Sequence, residues 1–394
     1  MVAVSHCFSH RGGDPSAFSE SATGKAPSRT RAVALFSGGL DSLLAAKLIQ
    51  EQGLDVMCLH FISPFFGKAE KIVHWESVYG LSIQAVDISA AFVDMLVRRP
   101  TYGFGSVMNP CVDCKILMLR RAGSIMEETG ACCVISGEVL GQRPMSQRRD
   151  ALNIIRRDAG IRGRLLRPLC AMLLEPTDAE LRGHVDRTRL LAISGRGRKQ
   201  QLALAGRFGL REIPSPAGGC RLTEQENARS YWPVLFHSPS PSADDFRLAN
   251  TGRQYWHDCD APRGSALWLS IGRNREENEA LTALAGKDDV LFALRDFPGP
   301  VALGRRFGHM WSSEAIQAAA ALAASYSPKC VRRVEEKGEP VVMIVRSAFA
   351  EAPAEALTVF PCRRPNFVWS EYSWPEAHNA VRADMKHASV YFCK

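Results

Sequence analysis

The segment from Ser37 to Ser42 reads Ser-Gly-Gly-Leu-Asp-Ser and combines residue types that bind phosphate. It follows the apolar run Ala32-Val33-Ala34-Leu35-Phe36 and precedes a helix-like run. A glycine-rich turn between a strand and a helix presents backbone N–H groups and a positive helix end to an anion, and glycines permit a close approach. A plain strand-to-helix turn is the alternative, but it seldom needs these residues together. We therefore predict a nucleotide-phosphate site formed by Ser37, Gly38, Gly39, Asp41 and Ser42, in which Asp41 holds a metal that bridges phosphates.

A second set of residues suited to chemistry is the CxxC segment Asn109-Pro110-Cys111-Val112-Asp113-Cys114-Lys115. It directly precedes a predicted helix from Lys115 to Thr129, and we expect the helix N-terminus to lower the pKa of these thiols. A CxxC by itself fits a zinc site, a redox disulfide, a cluster site or coincidence. A structural zinc site normally needs four ligands, and the sequence has no second CxxC. It has instead a lone candidate, Cys220, after Ser-Pro-Ala-Gly-Gly.

Strand-like and helical patterns alternate from Arg31 to about Arg229. This alternation predicts an α/β fold with a doubly wound parallel sheet and a nucleotide at the carboxyl ends of its strands. The predicted strands are the apolar runs 32–36, 56–61, 83–88 and 132–137. Cysteines within such runs are expected to be buried small hydrophobes, namely Cys58, Cys132, Cys133 and Cys170.

The rest of the chain suggests three further parts. Residues 1–30 are rich in Ser, Arg, Gly and His and are predicted to be a disordered tail. Residues 230–265 contain Pro233, Pro239, Pro241 and repeated serines, which predict an interdomain linker between a catalytic domain (31–229) and a smaller α+β domain (266–394).

Composition limits the classes of protein to consider. The chain has 394 residues and a formal net charge of +8, which suits a polyanionic partner. No apolar run approaches the roughly 18 residues that span a bilayer, and the N-terminus has no apolar signal-peptide core. We therefore expect no membrane association and a cytoplasmic location, where spaced cysteines more often serve metal or sulfur chemistry than disulfides.

The segment Ser37–Ser42 resembles the PP-loop of the ATP pyrophosphatases, a superfamily with an adenine nucleotide alpha hydrolase-like fold that adenylates a carbonyl oxygen and releases pyrophosphate. The Gly-Lys-Ser/Thr ending of the Walker sequence is absent, which argues against ordinary P-loop NTPase chemistry. Ser136-Gly137-Glu138-Val139-Leu140-Gly141-Gln142, followed by Ser146-Gln147, resembles a segment of tRNA 4-thiouridine synthases, and the Asn-Pro-Cys segment is similar to that of tRNA 2-thiouridylases. The resemblance covers roughly residues 31–222.

This resemblance implies specific residue roles. ATP and Mg²⁺ would bind at the PP-loop, and the same pocket would be lined by Gly137, Glu138 and Gln142. Sulfur chemistry would be carried by Cys111, Cys114 and Cys220, with Lys115 polarising the carbonyl or binding phosphate. The three cysteines are similar to those that hold a [4Fe–4S] cluster with one iron free for sulfide. A persulfide mechanism, with Cys111 or Cys114 paired to Cys220, and zinc or no function stay open.

The implied activity is that of a tRNA thiouridine synthase, an ATP-dependent sulfurtransferase that forms AMP and pyrophosphate. Its first expected product is 4-thiouridine at tRNA position 8, and 2-thiouridine is the alternative. A sulfur donor is required, either a cysteine desulfurase or sulfide. A small-molecule PP-loop enzyme and a non-catalytic RNA-binding protein on a PP-loop scaffold are the competing hypotheses.

The C-terminal part carries a second resemblance. Ser270-Ile271-Gly272-Arg273-Asn274 and Glu277-Asn278-Glu279-Ala280-Leu281-Thr282 resemble a pattern of the NFACT-type RNA-binding domain. This resemblance covers about residues 267–361 and implies RNA binding by the second domain. The alternative is a generic α+β domain that mediates dimerisation, so a homodimer stays open.

Arginines crowd the segment from Arg143 to Arg167, and a Gly-Arg-Gly-Arg-Lys turn follows at 195–199. Guanidinium groups suit phosphate oxygens and base stacking, although charge runs are usually solvated helix faces. The predicted RNA-backbone residues are Arg148, Arg149, Arg156, Arg157, Arg196, Arg198, Lys199 and Arg273.

Overall fold

The computed structural model describes residues 30–214, 219–257, 265–308, 310–348, 354–366 and 368–391. The predicted tail therefore lies outside the described residues except for Thr30, and so does the Ser215–Gly218 stretch before Cys220. Within the described ranges, no helix combines the length and the apolar character that crossing a membrane requires.

The first sheet is parallel, with five strands in the order β3-β2-β1-β4-β5. Successive residues of β1 point to opposite faces, so Val33 and Leu35 join one hydrophobic core while Ala32 and Ala34 join the other. Strands buried on both faces read as continuous apolar runs, which is why the sequence pattern revealed them. The strands are β1 (Arg31–Leu35), β2 (Asp55–Ile62), β3 (Ser82–Asp87), β4 (Val134–Ile135) and β5 (Leu165–Leu166).

Helices cover both faces of this sheet, which confirms the predicted doubly wound α/β fold. One core contains most of α1, and the other contains one face of α4. The helices of this part are α1 (Leu40–Gln50), α2 (Ile72–Tyr79), α3 (Ser89–Arg98), α4 (Cys111–Thr129), α5 (Arg149–Asp158), α6 (Asp178–Leu181) and α7 (Lys199–Arg207). Three-residue 3₁₀ turns occur at Ala69–Lys71, Ala171–Leu173, Arg187–Arg189 and Arg221–Thr223.

The strand order fixes where a ligand can bind. The chain proceeds from β1 through β2 to β3 in one direction and then returns to β4 on the other side of β1. A crevice opens at such a reversal, outside the carboxyl ends of the strands. Ser37–Ser42 follows β1 and Ser136–Gln142 follows β4, so both predicted segments border this crevice.

The second sheet has six strands in the order β11-β10-β8-β9-β7-β6, and each neighbouring pair is antiparallel. An alanine-rich helix, α11, packs on it through buried alanines. The strands are β6 (Arg253–His257), β7 (Ala266–Ile271), β8 (Val290–Leu294), β9 (Ala302–Phe307), β10 (Val341–Ser347) and β11 (Glu355–Val359). The helices are α8 (Gln225–His237), α9 (Ala243–Ala249), α10 (Arg275–Leu284), α11 (Ser313–Ala324), α12 (Pro328–Lys337) and α13 (Trp374–Tyr391).

The predicted linker 230–265 differs from what the structure contains there. Its described residues include the end of α8, all of α9 and the edge strand β6. Tyr231, Trp232 and Phe246 are buried in the core that also holds Val33 of the parallel sheet, so this segment packs between the two sheets. Pro233 lies inside α8, and the burial of these aromatic side chains outweighs the helix-breaking tendency of proline. The two domain boundaries themselves stay predictions.

Candidate active site

The PP-loop candidate forms the connection from β1 to α1. Gly39 precedes the first residue of α1, and no side chain caps this helix end. Gly38 has φ of +76°, and a Cβ there would lie 2.5 Å from the Trp75 ring. The left-handed backbone and the aromatic wall both require glycine. The loop therefore presents the start of an 11-residue helix to the crevice without a side chain in the way.

The two predicted serines hold the shape of the loop. The Ser42 hydroxyl donates to the Gly39 carbonyl at 2.9 Å and accepts from the Ser37 backbone N–H at 3.2 Å. The hydroxyl oxygens of Ser37 and Ser42 lie 3.2 Å apart. Ser37 is exposed, so its hydroxyl is accessible from the crevice, whereas Ser42 is buried.

Asp41 lies beside the segment that follows β4. Gln142 donates through Nε2 to Asp41 Oδ2 at 3.0 Å. A Cβ on Gly137 would lie 2.6 Å from the Asp41 carbonyl oxygen, so glycine permits this close approach. Asp41 Oδ1 and Gln142 Oε1 are buried and have no hydrogen-bond partner among the described residues. Carboxylate and amide oxygens are the ligands that Mg²⁺ prefers, so this pair fits a divalent cation.

Glu138 forms a buried ion pair with Arg167, whose Nε lies 2.9 Å from Glu138 Oε2. Their side chains are 2% and 3% exposed. Burial raises the pKa of Glu138, but the positive charges of Arg167 and Lys115 outweigh it and lower the pKa overall. Arg167 belongs to the arginine-rich segment, where sequence reasoning treated it as part of the basic patch. Its position directly after the short β5 was the missed signal, because that strand ends at the same crevice.

The three predicted cysteines come together at this edge of the molecule. Cys111 is the first residue of α4, and Cys114 follows one turn later. The Met108 N–H donates to the Leu222 carbonyl at 3.1 Å, which joins the turn after Cys220 to the loop before α4. Cys114 interacts electrostatically with both other thiols, and Cys220 interacts with Cys111.

The thiol pKa values correct one expectation from the sequence. Burial raises the pKa of Cys114 well above its usual range, with Cys220 adding to the effect and Lys115 opposing it. Burial likewise raises the pKa of Cys220 to about 12. The prediction that the helix N-terminus lowers the thiol pKa is therefore wrong for Cys114, because desolvation is the larger contribution. A bound cation would oppose this effect of burial and favour the thiolate forms.

The three cysteines also bear on the choice between a zinc ion and a [4Fe–4S] cluster. Throughout the described ranges, no three His, Cys, Asp or Glu side chains form a group that could hold a metal ion. A [4Fe–4S] cluster distributes its cysteines over separate irons, so its ligands need not converge on one point. Three half-buried, mutually interacting thiols without a fourth ligand in the described chain fit such a cluster better than a lone zinc ion.

Two further residues connect the PP-loop side and the thiol side of the site. Lys115 acts electrostatically on both Glu138 and Cys114, so its ammonium group lies near both. Asn109 donates through Nδ2 to Cys111 Sγ at 3.1 Å, and its Oδ1 is buried without a partner in the described chain. Asn109 was visible in the Asn-Pro-Cys segment but was assigned no role from sequence.

The predicted RNA-binding arginines largely form intramolecular contacts. Arg148 pairs with Asp150, Arg156 with Glu175, Arg157 with Asp158 and Arg273 with Glu277, while Arg149 donates to the Leu173 carbonyl. The turn carrying Arg196 and Arg198 lies at the crevice, because the Gly195 N–H donates to the Leu140 carbonyl at 2.8 Å. Lys199 is the first residue of α7. RNA binding by these eight residues stays a prediction.

Comparison with known proteins supports the family resemblance that the sequence predicts for the first part of the chain. Residues 28–175 match the family described as Thiamine biosynthesis protein (ThiI), which confirms the PP-loop resemblance for that part. The match includes Ser37–Ser42, Cys111, Cys114 and Ser136–Gln142, whereas Cys220 lies beyond it. The NFACT-type resemblance of the C-terminal part is not confirmed.

The chain is also similar to curated proteins and to a solved structure. A probable tRNA sulfurtransferase from Methanothermobacter thermautotrophicus is 29% identical over 153 residues, which cover 36% of this chain and 37% of the relative. One from Thermococcus kodakarensis is 30% identical over 118 residues, which cover 28% and 30%. The chain thus spans about a third of the length of these relatives. A solved structure, the U34-tRNA thiolase NcsA from Methanococcus maripaludis with its [4Fe-4S] cluster, is 17% identical to this chain. The similarity covers 49% of this chain and 63% of that chain. Its TM-score is 0.28, which is too low to carry an argument.

Proposed function

We propose that this chain is an ATP-dependent tRNA thiouridine synthase that forms AMP and pyrophosphate. One observation carries the proposal: the PP-loop with Asp41 and Gln142 lies at the same crevice as three clustered cysteines, with Lys115 near both Glu138 and Cys114. A phosphate site alone fits many nucleotide enzymes, and a thiol cluster alone fits many redox proteins. A phosphate site next to a thiol cluster fits activation of an oxygen followed by its replacement with sulfur. The relatives named tRNA sulfurtransferases support this proposal.

In the first half of the proposed reaction, the nucleotide phosphates bind over Ser37–Gly39 at the start of α1. Asp41 Oδ1 and Gln142 Oε1 would hold Mg²⁺, which supplies charge neutralisation for the departing pyrophosphate. The uridine carbonyl oxygen attacks the α-phosphorus, the bond to the β-phosphate oxygen breaks, and pyrophosphate leaves. Lys115 stabilises negative charge that develops on the transferring phosphoryl group.

In the second half, Cys111, Cys114 and Cys220 would hold a [4Fe–4S] cluster, which when bound supplies a position for sulfide. Asn109 orients Cys111 through its Nδ2–Sγ hydrogen bond. Sulfide attacks the activated ring carbon; where a cysteine desulfurase is the donor, its persulfide sulfur is first reduced to sulfide by two electrons from a thiol reductant. A C–S bond forms, the C–O bond to the phosphate breaks, and AMP leaves with the bonding electrons. Loss of the sulfur-bound proton restores the neutral thiouracil, so the attack by sulfide itself needs no oxidant or reductant.

The first proposed product is 4-thiouridine at tRNA position 8, because the Gly137–Gln142 segment resembles that of 4-thiouridine synthases. The similarity of the Asn-Pro-Cys segment to 2-thiouridylases keeps 2-thiouridine as the second candidate. Mass spectrometry of tRNA nucleosides separates the two products.

The test expresses wild type, Asp41→Ala and Cys220→Ala in a bacterial strain that lacks its own 4-thiouridine synthase. Wild type is expected to restore 4-thiouridine, and both variants are expected to abolish it. Cys362→Ala serves as the matched control, because Cys362 is a half-buried free cysteine in the second part of the chain. A chain in which Asp41→Ala retained full thiouridine formation would overturn the proposal.

Anaerobic purification with iron and sulfide analysis tests the cluster separately. We expect about four irons and four sulfides per chain, lost in Cys220→Ala and kept in Cys362→Ala. An iron-free protein with a disulfide from Cys220 to Cys111 or Cys114 would instead support the persulfide mechanism.

A further inference from the structure

A cleft of about 260 Å³ lies between the turn that follows Cys220 and the edge of the second sheet. Its walls come from the 3₁₀ turn at Arg221, from α8 and from β6, the edge strand of the second sheet. The cleft is smaller than the roughly 300–1,000 Å³ of a typical small-molecule pocket. It is therefore better suited to a group projecting from a larger partner than to a free metabolite. Four arginines line it, namely Arg221, Arg229, Arg253 and Arg273.

These arginines fall into two classes. Arg229 pairs with Glu226 and Glu371, and Arg273 pairs with Glu277, so both are neutralised. Arg221 and Arg253 form no ion pair within the ranges that the structure describes. Arg221 instead donates to the neutral Asn250 side chain at 3.1 Å. The cleft thus keeps two guanidinium groups that form no ion pair among the described residues, although Arg253 acts electrostatically on Glu277.

Arg253 also links this cleft to a second groove. Its guanidinium carbon lies 4.3 Å from the centre of the Tyr326 ring, and that of Arg363 lies 3.4 Å from the same centre. Tyr326 is fixed in turn by a hydrogen bond to the Tyr255 hydroxyl. Stacking on an aromatic ring holds a guanidinium in place while its edge N–H groups stay available to an anion. Tyr326 and Arg363 line an open groove of about 400 Å³ together with Ser325, Pro328, Val331, Arg332, Glu335 and Pro361.

We propose that Arg221, Arg253 and Arg363 bind successive phosphates of one RNA strand and lead that strand to Cys220. This inference rests on the proposed function, since it identifies how the tRNA substrate reaches the thiol site. Arg221, Arg253 and Arg363 form no ion pair with the described carboxylates, and they follow a path from the residue after Cys220, across the edge of the second sheet, to the groove beside α12. A small anion would need one compact site, whereas charges spread over two connected grooves match a polymer of phosphates.

Arg221 would fix the position of the RNA strand relative to the reacting sulfur. Its backbone N–H donates to the Phe65 carbonyl at 2.9 Å, and the Tyr231 hydroxyl donates to Asn250, its side-chain partner. A phosphate bound by Arg221 is therefore held at a fixed place beside Cys220. Arg148, Arg156 and Arg157, which form ion pairs, are not adjacent in sequence to a cysteine of the site.

The test measures binding of a fluorescent unmodified tRNA transcript to the full chain, without ATP, over a range of salt concentrations. Arg253→Ala/Arg363→Ala is expected to weaken binding by roughly tenfold or more and to reduce the slope of log K against log salt by about 1.5, the value for two lost phosphate contacts. The control is Arg295→Ala/Arg333→Ala, which removes the same charge from two surface arginines paired with Asp296 and Glu339. Arg253→Lys/Arg363→Lys should restore most of the salt slope.

We call Arg221, Arg253 and Arg363 the track. Unchanged affinity and salt slope in the Arg253/Arg363 double variant would overturn the proposal that the track binds RNA, and so would an equal loss in the control variant. These outcomes are distinct from failure of the proposed function, which is read from thiouridine content. Normal thiouridine formation with unaltered binding refutes the track alone. Altered binding in a chain that forms no thiouridine supports the track and refutes the chemistry.

Discussion

Two buried polar clusters of this molecule differ in how completely their hydrogen bonds are satisfied. In the second sheet, Arg305 contacts Asp245 at 2.7 Å, Asp289 at 2.6 Å and the Leu284 carbonyl at 3.0 Å. At the crevice of the parallel sheet, Asp41, Gln142, Glu138 and Asn109 each retain a buried oxygen without a partner in the described chain. The first cluster is complete by itself and joins α9 to β9 and to the residue before β8. The second has spare acceptors, which is the condition of a site that awaits a cation or a donor.

This comparison predicts opposite consequences for activity and stability. A substitution in the complete cluster should lower stability and leave the activity of folded molecules intact. A substitution in the incomplete cluster should lower activity with little loss of stability.

The largest expected effect is on catalysis. Asp41→Asn keeps the size of the side chain but removes the charge that we assign to the metal. We expect ATP turnover to AMP in the presence of tRNA to fall by roughly 10³-fold, because electrostatic stabilisation of the departing pyrophosphate is lost. The urea midpoint should stay within error of wild type. A large drop in that midpoint with activity preserved would reverse the assignment of the two clusters.

The next effect is on stability. Arg305→Met leaves Asp245 and Asp289 buried without their cation, and breaking such a buried network typically costs about 3 kcal/mol. We expect urea denaturation to show this loss, while thiouridine formation per folded molecule is retained. Arg295→Ala, which removes an exposed ion pair with Asp296, should change the free energy of unfolding by less than about 1 kcal/mol.

A buried histidine shows that an unpartnered atom does not always mark a ligand site. His237 is fully buried, stacks on Trp256, and leaves Nδ1 without a partner among the described residues. Burial lowers its pKa from 6.5 to about 4, so the ring is neutral in the folded protein. Between these values the unfolded chain binds a proton that the folded chain rejects, and stability falls as the pH falls.

We therefore expect acidification from pH 7.5 to pH 5 to lower the free energy of unfolding by about 2 kcal/mol through this residue. The measurement is urea denaturation at both pH values for wild type and His237→Phe. The variant should lose less stability between them. Equal losses in both proteins would show that His237 does not contribute to the acid sensitivity.

The same contrast explains what the sequence could predict. The PP-loop was predictable because its glycines, serines and aspartate are adjacent along the chain and follow an apolar strand. The pairing of Arg156 with Glu175, 19 residues away, depends on the tertiary fold, and a charge run does not reveal it. β5 was missed because two residues are too short to show a pattern. Residues 230–265 looked like a linker because prolines and serines mark turns, whereas the buried Tyr231 and Trp232 decide the packing.

The smallest effect tests the incomplete cluster most finely. Gln142 donates to Asp41 Oδ2 at 3.0 Å, and both Gln142 Oε1 and Asp41 Oδ1 are buried without a partner among the described residues. Gln142→Met keeps the length of the side chain and removes both functions. Loss of the hydrogen bond frees the Asp41 carboxylate to rotate, and loss of Oε1 removes one proposed Mg²⁺ ligand.

We expect about a tenfold loss of ATP turnover, which corresponds to one hydrogen bond to a charged group. The Mg²⁺ concentration for half-maximal activity should rise, and saturating Mg²⁺ should recover part of the loss. Gln142→Glu is the matched control, because it keeps an oxygen at the position of Oε1 and should lower the Mg²⁺ requirement relative to Gln142→Met. If Gln142→Met lowered activity equally at all Mg²⁺ concentrations, the residue would only shape the loop, and the unpartnered oxygens of Asp41 and Gln142 would belong to a donor on the nucleotide instead of a cation.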